Sequence, residues 1–225
     1  MAEKLLVIVG SPRRNGNTMT LAEAVRRGGK AAGHDVALRF LDDHLSGFLR
    51  DCRTCRQADG ECSISDRYRS LFFDDFLKSR GVIFCSPIYW YGMSAQTKAF
   101  FDRSFCYYAA SYPGSKDVIE AMSGKRLGLV LASEEIYPGA ELGIVHQIQE
   151  FSRYTHSSFV GVVRGIGNSR GDVRDDPMNP LQDAERLGAE ILSRAYTDYR
   201  LDTPRSPRVW SEENRSDRAR ILVGP

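Results

Sequence analysis

Leu5-Leu6-Val7-Ile8-Val9-Gly10-Ser11-Pro12-Arg13-Arg14-Asn15-Gly16-Asn17-Thr18 decides how this chain folds. The unbroken apolar run Leu5–Val9 is the pattern of a central strand in a parallel sheet, buried on both faces. It is too short for a secretory apolar region or a membrane span. Asn17–Ala32 then reads as a helix, with Leu21, Ala24, Val25 and Gly28 on one side and Gly33 ending it. A loop between a buried strand and a helix N-terminus presents unpaired N–H groups and the positive end of the helix dipole, a setting that binds phosphate. Ser11 and Thr18 add hydroxyl donors, Asn17 an amide, and Arg13 or Arg14 a cation. Gly10 and Gly16 let the backbone turn close to a ligand.

Two other phosphate motifs fail on this stretch. A nucleoside-triphosphate loop needs four residues between its glycines, followed by Lys-Ser/Thr. Here five residues separate Gly10 from Gly16, and Asn17 stands where the lysine belongs. A dinucleotide fingerprint is absent from the loop. Gly165-Ile166-Gly167 comes near one later in the chain, but the next glycine, Gly171, is one place too late. Hydroxyl and amide donors without a lysine suit a single terminal phosphate monoester.

Strands and helices alternate onward from this start. Asp35–Leu41, Val82–Ser86 (closed by Pro87), Arg126–Ala132 and Ser158–Arg164 read as strands. Arg67–Arg80, Ala95–Tyr107 (capped by Ser94), Leu142–Tyr154 and Pro180–Tyr196 read as helices. Five strands with helical crossovers make an α/β fold with a doubly wound parallel sheet. The 225 residues fit one such domain, residues 1–200, followed by an extended arm, residues 201–225. The arm mixes Pro204, Pro207 and many charges with Val209, Trp210 and Ile221–Val223. A formal net charge of +2 gives no basic field for nucleic acid, and no later apolar run reaches membrane length. The reading is a soluble, cytoplasmic protein with neither nucleic acid nor membrane as partner.

The first loop, with Gly10-Ser11-Pro12-Arg13 and Gly16-Asn17-Thr18, resembles the opening of the NAD(P)H-dependent FMN reductase and multimeric-flavodoxin family. Ser86-Pro87-Ile88-Tyr89-Trp90-Tyr91-Gly92-Met93-Ser94-Ala95-Gln96-Thr97-Lys98-Ala99-Phe100-Phe101-Asp102-Arg103 is similar to that family's second flavin loop and the helix behind it. The resemblance covers roughly residues 3–165. It implies a flavodoxin-like three-layer sandwich with a five-stranded parallel sheet in the order 2-1-3-4-5, bound FMN, NAD(P)H as co-substrate and a homo-oligomer. In such a sheet the ligand sits outside the carboxyl ends of the strands, at the switch between the first and third, where both loops lie. The cofactor residues expected on this basis are Ser11, Arg13, Asn15, Gly16, Asn17 and Thr18 from the first loop, and Pro87, Ile88, Tyr89, Trp90, Tyr91 and Gly92 from the second. Flat aromatic side chains can cover an isoalloxazine ring. Ser133 joins them from a third loop, Ser133–Gly139. Glu134 and Glu135 there depart from the family's small residues, and since a carboxylate repels the charge of a reduced flavin, at least one is expected to point away. The implied function is an FMN-dependent NAD(P)H oxidoreductase acting on a small acceptor such as a quinone or a flavin. The alternative is a flavodoxin-like carrier exchanging electrons with protein partners, against which the near-neutral charge argues. The chemistry belongs to the cofactor, so no side chain is assigned as acid, base or nucleophile.

Cys52-x-x-Cys55 followed by Cys62 resembles the cluster region of the related iron–sulfur flavoproteins, but Ala58 stands where a further cysteine would be. A cubane usually takes four thiolates, and zinc would need another ligand beside three. Without an export signal a disulfide framework is not expected either. Cys85 and Cys106 read as small core residues, and the four histidines are scattered and take no catalytic role. No metal is therefore expected. Protein purified anaerobically should contain no stoichiometric iron and no acid-labile sulfide, and finding both at stoichiometric levels would overturn this reading.

Overall fold

The computed structural model describes residues 2–52 and 54–194, so the arm at residues 201–225 lies outside the described residues. The elements are β1 (Lys4–Val9), α1 (Asn17–Ala31) and β2 (Asp35–Phe40), then α2, a single α-helical turn at Tyr68–Ser70 running into a π-helical segment at Leu71–Phe76. They continue as β3 (Gly81–Tyr89), β4 (Gly92–Met93), α3 (Ala95–Tyr108), α4 (Ser115–Met122) and β5 (Arg126–Ser133). The last are α5 (Leu142–Tyr154), β6 (Ser158–Ile166) and α6 (Pro180–Glu190). The parallel strands run in the order β2-β1-β3-β5-β6, which is 2-1-3-4-5 counted over parallel strands alone, and β4 pairs antiparallel with the end of β3.

Alternation along β1 explains the three layers. Leu5, Val7 and Val9 face α1 and α6, packing with Leu21, Val25, Leu187 and Ile191. Leu6 and Ile8 face the opposite layer, where Phe72, Phe76, Phe84, Phe100 and Tyr107 form an aromatic core. A strand buried on both sides has no polar face, which is why the run is continuous. On the first side, α1 and α6 approach so closely that a Cβ at Gly28 would lie 1.9 Å from the carbonyl oxygen of Glu185, and one at Gly188 2.2 Å from that of Val25. Glycine permits this contact, and no side chain fits at either place.

The structure departs from the sequence reading at several elements, among them α6, which ends at Glu190 instead of running on toward Tyr196, and β4, which was not expected. β3 does not stop at Pro87 but runs on to Tyr89. β1 has ended opposite Cys85, so Pro87 sits where the strand has become an edge on that side, a position that tolerates a missing N–H. The helix expected over Arg67–Arg80 is shorter, spanning Tyr68–Ser70 as α-helix and Leu71–Phe76 as π-helix, with Leu71, Phe72 and Phe76 buried in the core. Helix α4 lies in a stretch where none was expected.

Lys125, immediately before β5, is buried. Its Nζ donates to the carbonyls of Leu77 and Ser79 at 2.7 and 2.6 Å. Burial, followed by repulsion from Arg80, lowers the ammonium from 10.5 to about 8. Between those values the unfolded chain holds a proton that the folded chain has released, so stability rises as pH rises through this window; below about pH 8 the full burial penalty applies. The unfolding free energy of the wild type, measured against Lys125→Met, should therefore improve by about 2 kcal/mol from about pH 7.5 to about pH 10. Denaturant titrations giving a pH-independent difference would contradict it.

Candidate functional site

A pocket of about 1180 Å³ opens at the carboxyl ends of β1, β3 and β5. Its first wall is the loop between β1 and α1. Gly16 occupies the cap position of α1 without a side-chain cap, and the first turn carries no acidic residue. The leading N–H groups of a fifteen-residue helix therefore face the pocket with the helix dipole behind them. Ser11 and Thr18 are nearly buried beside them, and the Ser11 hydroxyl accepts a bond from the Arg13 N–H at 3.2 Å. Arg13 lines the pocket with its side chain exposed, and no ion pair to it forms among the described residues. Hydroxyls, amide N–H groups and the Arg13 cation line this wall, a donor set suited to a phosphate.

Asn17 holds the site together by a different route from the one expected. Its side-chain NH₂ donates to the carbonyls of Gly167 and Ser169, both at 2.9 Å. Its Oδ1 accepts from the N–H of Gly171 at 2.8 Å and of Val173 at 3.4 Å. The amide is fully committed to the loop after β6, so Asn17 offers a ligand its backbone N–H rather than its side chain. That bonding brings Gly167, Asn168, Ser169 and Arg170 into the pocket wall, four residues the sequence reading missed. Asn15 lines an adjoining groove instead of the pocket.

The second wall is the end of β3. Pro87, Ile88, Tyr89 and Trp90 line the pocket, whereas Tyr91 and Gly92 complete the turn behind them. Tyr89 pairs with Gly92, leaving a two-residue hairpin turn at Trp90-Tyr91 in which both residues have positive φ, 50° and 58°. Such turns favour Asn and Gly. Bulky aromatics in left-handed conformation cost about 1–3 kcal/mol each, and strain of this kind concentrates at ligand-binding segments. Trp90 is 98% exposed. The two walls are bolted together by Ser94, the cap expected for α3. Its Oγ donates to the carbonyl of Gly10 at 2.8 Å and accepts from the N–H of Thr97, and its own N–H donates to Ser86 Oγ at 3.0 Å. A Cβ at Gly10 would stand 1.9 Å from Thr97 Oγ1, so this junction requires glycine.

The third wall is Ala132, Ser133 and Glu134. Ser133 Oγ donates to the carbonyl of Glu135 at 3.0 Å. Arg164 fastens the loop, donating to Ser133 Oγ at 3.2 Å, to the carbonyls of Glu135 and Tyr137, and to Glu141. Of the two acidic residues, Glu135 turns its carboxylate to the N–H of Tyr137, while Glu134 faces the pocket.

The cysteine loop lies in the other layer. Cys52 and Cys106 are buried, and Cys106 Sγ sits within hydrogen-bonding reach of Cys52 and Cys62. Burial raises Cys52 and pushes Cys106 up to about 12. The loop is clamped by Arg103, whose buried guanidinium forms a bidentate pair with Asp66, lies over the Tyr68 ring at 4.4 Å and reaches Cys62 Sγ at 3.8 Å. Among the described residues no group of three His, Cys, Asp or Glu side chains is placed to hold a metal ion, and no helix is long and apolar enough to cross a membrane.

Known proteins share this architecture. The chain is 30% identical over 184 residues to "Putative NAD(P)H-dependent FMN-containing oxidoreductase YwqN" of Bacillus subtilis (strain 168), covering 82% of this chain and 96% of that one. It is 27% identical over 208 residues to an iron–sulfur flavoprotein of Archaeoglobus fulgidus, covering 88% of this chain and 83% of the relative. Among solved structures, the Trp repressor binding protein from Bacillus subtilis superposes with a TM-score of 0.61 at 26% identity, over 85% of this chain and 99% of the other. A family sequence profile described as a flavodoxin-like fold matches residues 3–176, and the chain belongs to that family.

Proposed function

We propose that the chain is an FMN-dependent NAD(P)H oxidoreductase that passes reducing equivalents to a small acceptor of the quinone or flavin type. The observation that carries this reading is the uncapped N-terminus of α1, flanked by Ser11, Thr18 and Arg13, in one pocket with the aromatic end of β3. A phosphate ester fits the first wall and a flat ring the second, and the relative of Bacillus subtilis is named for FMN and NAD(P)H. When bound, FMN would supply hydride acceptance and onward electron transfer. The protein's residues would supply position: the helix N-terminus with the hydroxyls of Ser11 and Thr18 would anchor the phosphate, Pro87–Trp90 would support the ring, and Arg164 holds the Ser133 loop that would contact it. The pocket's 1180 Å³ is larger than a single flavin needs, which leaves room for a nicotinamide or an acceptor beside it.

An iron–sulfur cluster, as in the name of the Archaeoglobus fulgidus relative, does not fit this chain. The loop lacks a cysteine at Ala58, and the Arg103–Asp66 pair already anchors it beside Cys62. A homo-oligomer fits the exposed apolar side chains of Trp90, which lines the pocket, and of Ile136 and Leu142, which are 98%, 74% and 64% exposed in that order. Apolar side chains of this size beside a ligand site mark an interaction surface, and a second subunit over them would exclude water from the reacting face.

With riboflavin as the comparison ligand, FMN should bind at least about a hundredfold more tightly, because the phosphate makes two or more charge-assisted hydrogen bonds of about 1.5 kcal/mol or more. Equal affinities would sink the phosphate assignment. FMN-loaded protein should oxidise NAD(P)H steadily with a quinone present; turnover only with a protein acceptor would favour an electron carrier. Sedimentation should show a homo-oligomer that Leu142→Asp weakens, and a monomeric wild type would remove the oligomer from this account.

A further inference from the structure

Beside the pocket runs a second groove, of about 740 Å³, between α1 and the turn after β6. Five arginines line it: Arg14, Arg26, Arg27, Arg170 and Arg174, against a single lining carboxylate, Glu23. Three of the five are engaged in exposed ion pairs, with Asp43, Glu23 and Glu185 respectively. Pairs of that exposure are weak and yield readily to a better anion. Arg170 and Arg174 form no ion pair among the described residues. For a chain whose net charge is only +2, this is a marked local concentration of cations.

The groove is not an isolated patch. Arg170 lines both it and the pocket, so the two spaces meet at that residue. The loop that carries Arg170 is held by the side chain of Asn17, and Gly171 takes a φ of 92°, a turn that L side chains rarely adopt. Half-buried Met19 and Leu181 give the groove an apolar floor. The loop at residues 11–18 already offers donors for the phosphate of a flavin mononucleotide, so Arg170 and Arg174, which lie outside it, are surplus to it.

We infer that this groove receives the adenosine end of the dinucleotide co-substrate, with Arg174 and Arg170 binding the 2′-phosphate that distinguishes NADPH from NADH. The inference rests on the proposed NAD(P)H reading and deepens it. Guanidinium groups match a phosphate monoester through paired, charge-assisted bonds and also stack on flat rings. An apolar floor under a cluster of arginines therefore suits an adenosine phosphate. NADH offers the groove only its adenosine and diphosphate, and loses the strongest anion.

The test is calorimetric, on the full chain with FMN added, using 2′,5′-ADP and 5′-ADP as probes. The wild type should bind 2′,5′-ADP at least about tenfold more tightly than 5′-ADP. Arg174→Gln should erase most of that difference while changing 5′-ADP affinity by less than about twofold, since only the 2′-phosphate contact is lost. The ratio of kcat/KM for NADPH to that for NADH should fall in parallel. Equal binding of the two probes by the wild type would overturn the inference, as would a preference that neither Arg174→Gln nor Arg170→Gln alters. Inorganic pyrophosphate competing as well as 2′,5′-ADP would overturn it too, because the groove would then be an unspecific anion field. A protein that oxidises no nicotinamide at all, yet keeps the Arg174-dependent preference for 2′,5′-ADP, would defeat the oxidoreductase reading and leave the subsite standing.

Discussion

The N-terminus of α1 is a cluster of N–H donors that the protein leaves without a side-chain cap, and the site is arranged around that vacancy. A buried parallel strand delivers the chain to it, Gly10 and Gly16 allow the approach, and no acidic residue in the first turn competes for it. A helix start capped by glycine gives up roughly a few tenths of a kcal/mol relative to one capped by Ser or Asp, a cost that an anion at this position would offset. The Asn17 side chain, which would have been a natural donor to such an anion, instead makes four bonds to the backbone of a loop 150 to 156 residues away. Together with buried Val173, that amide holds the post-β6 segment over α1 and so keeps one wall of the pocket in place.

The second loop shows the same logic in its backbone. A turn in which both Trp90 and Tyr91 have positive φ is poorly suited to those residues. It persists because β3 and β4 pair on either side, and because Ser94 ties the start of α3 to both Ser86 and Gly10. The hairpin places one aromatic side chain almost wholly in solvent at the pocket mouth. In folding terms this is unfavourable twice over, through strain and through exposed apolar surface, and it makes sense as provision for a ligand and a partner surface.

Much of this was readable in the residues. The continuous apolar run of β1 and its glycine-bounded loop identified the parallel sheet, its switch point and the first wall, because strand burial and helix-terminus chemistry are both local. Leu142–Tyr154 matched the observed helix end to end, and Ser94 was legible as a cap. What escaped reading depends on long-range contacts. The committed side chain of Asn17, the loop carrying Arg170, the clamp by Arg164 and the buried Arg103–Asp66 pair have no signature at short spacing. Gly167 was set aside because its spacing fails a dinucleotide fingerprint, yet it lines the pocket through a tertiary bond to Asn17. The run of β3 through Pro87 was likewise invisible, since only the end of the neighbouring strand makes proline acceptable there.

On the proposed reading, the neutral donors of α1, with Ser11, Thr18 and Arg13, hold a phosphate monoester as its dianion. Phosphorus NMR of FMN on the protein tests this directly. A free monoester takes up its second proton with a pKa of about 6, and donors that bond to the charged form move that protonation to lower pH. The account predicts one bound resonance whose shift stays constant from about pH 5.5 to about pH 8. A bound resonance that titrates with the midpoint of free FMN would place the phosphate in solvent and contradict it.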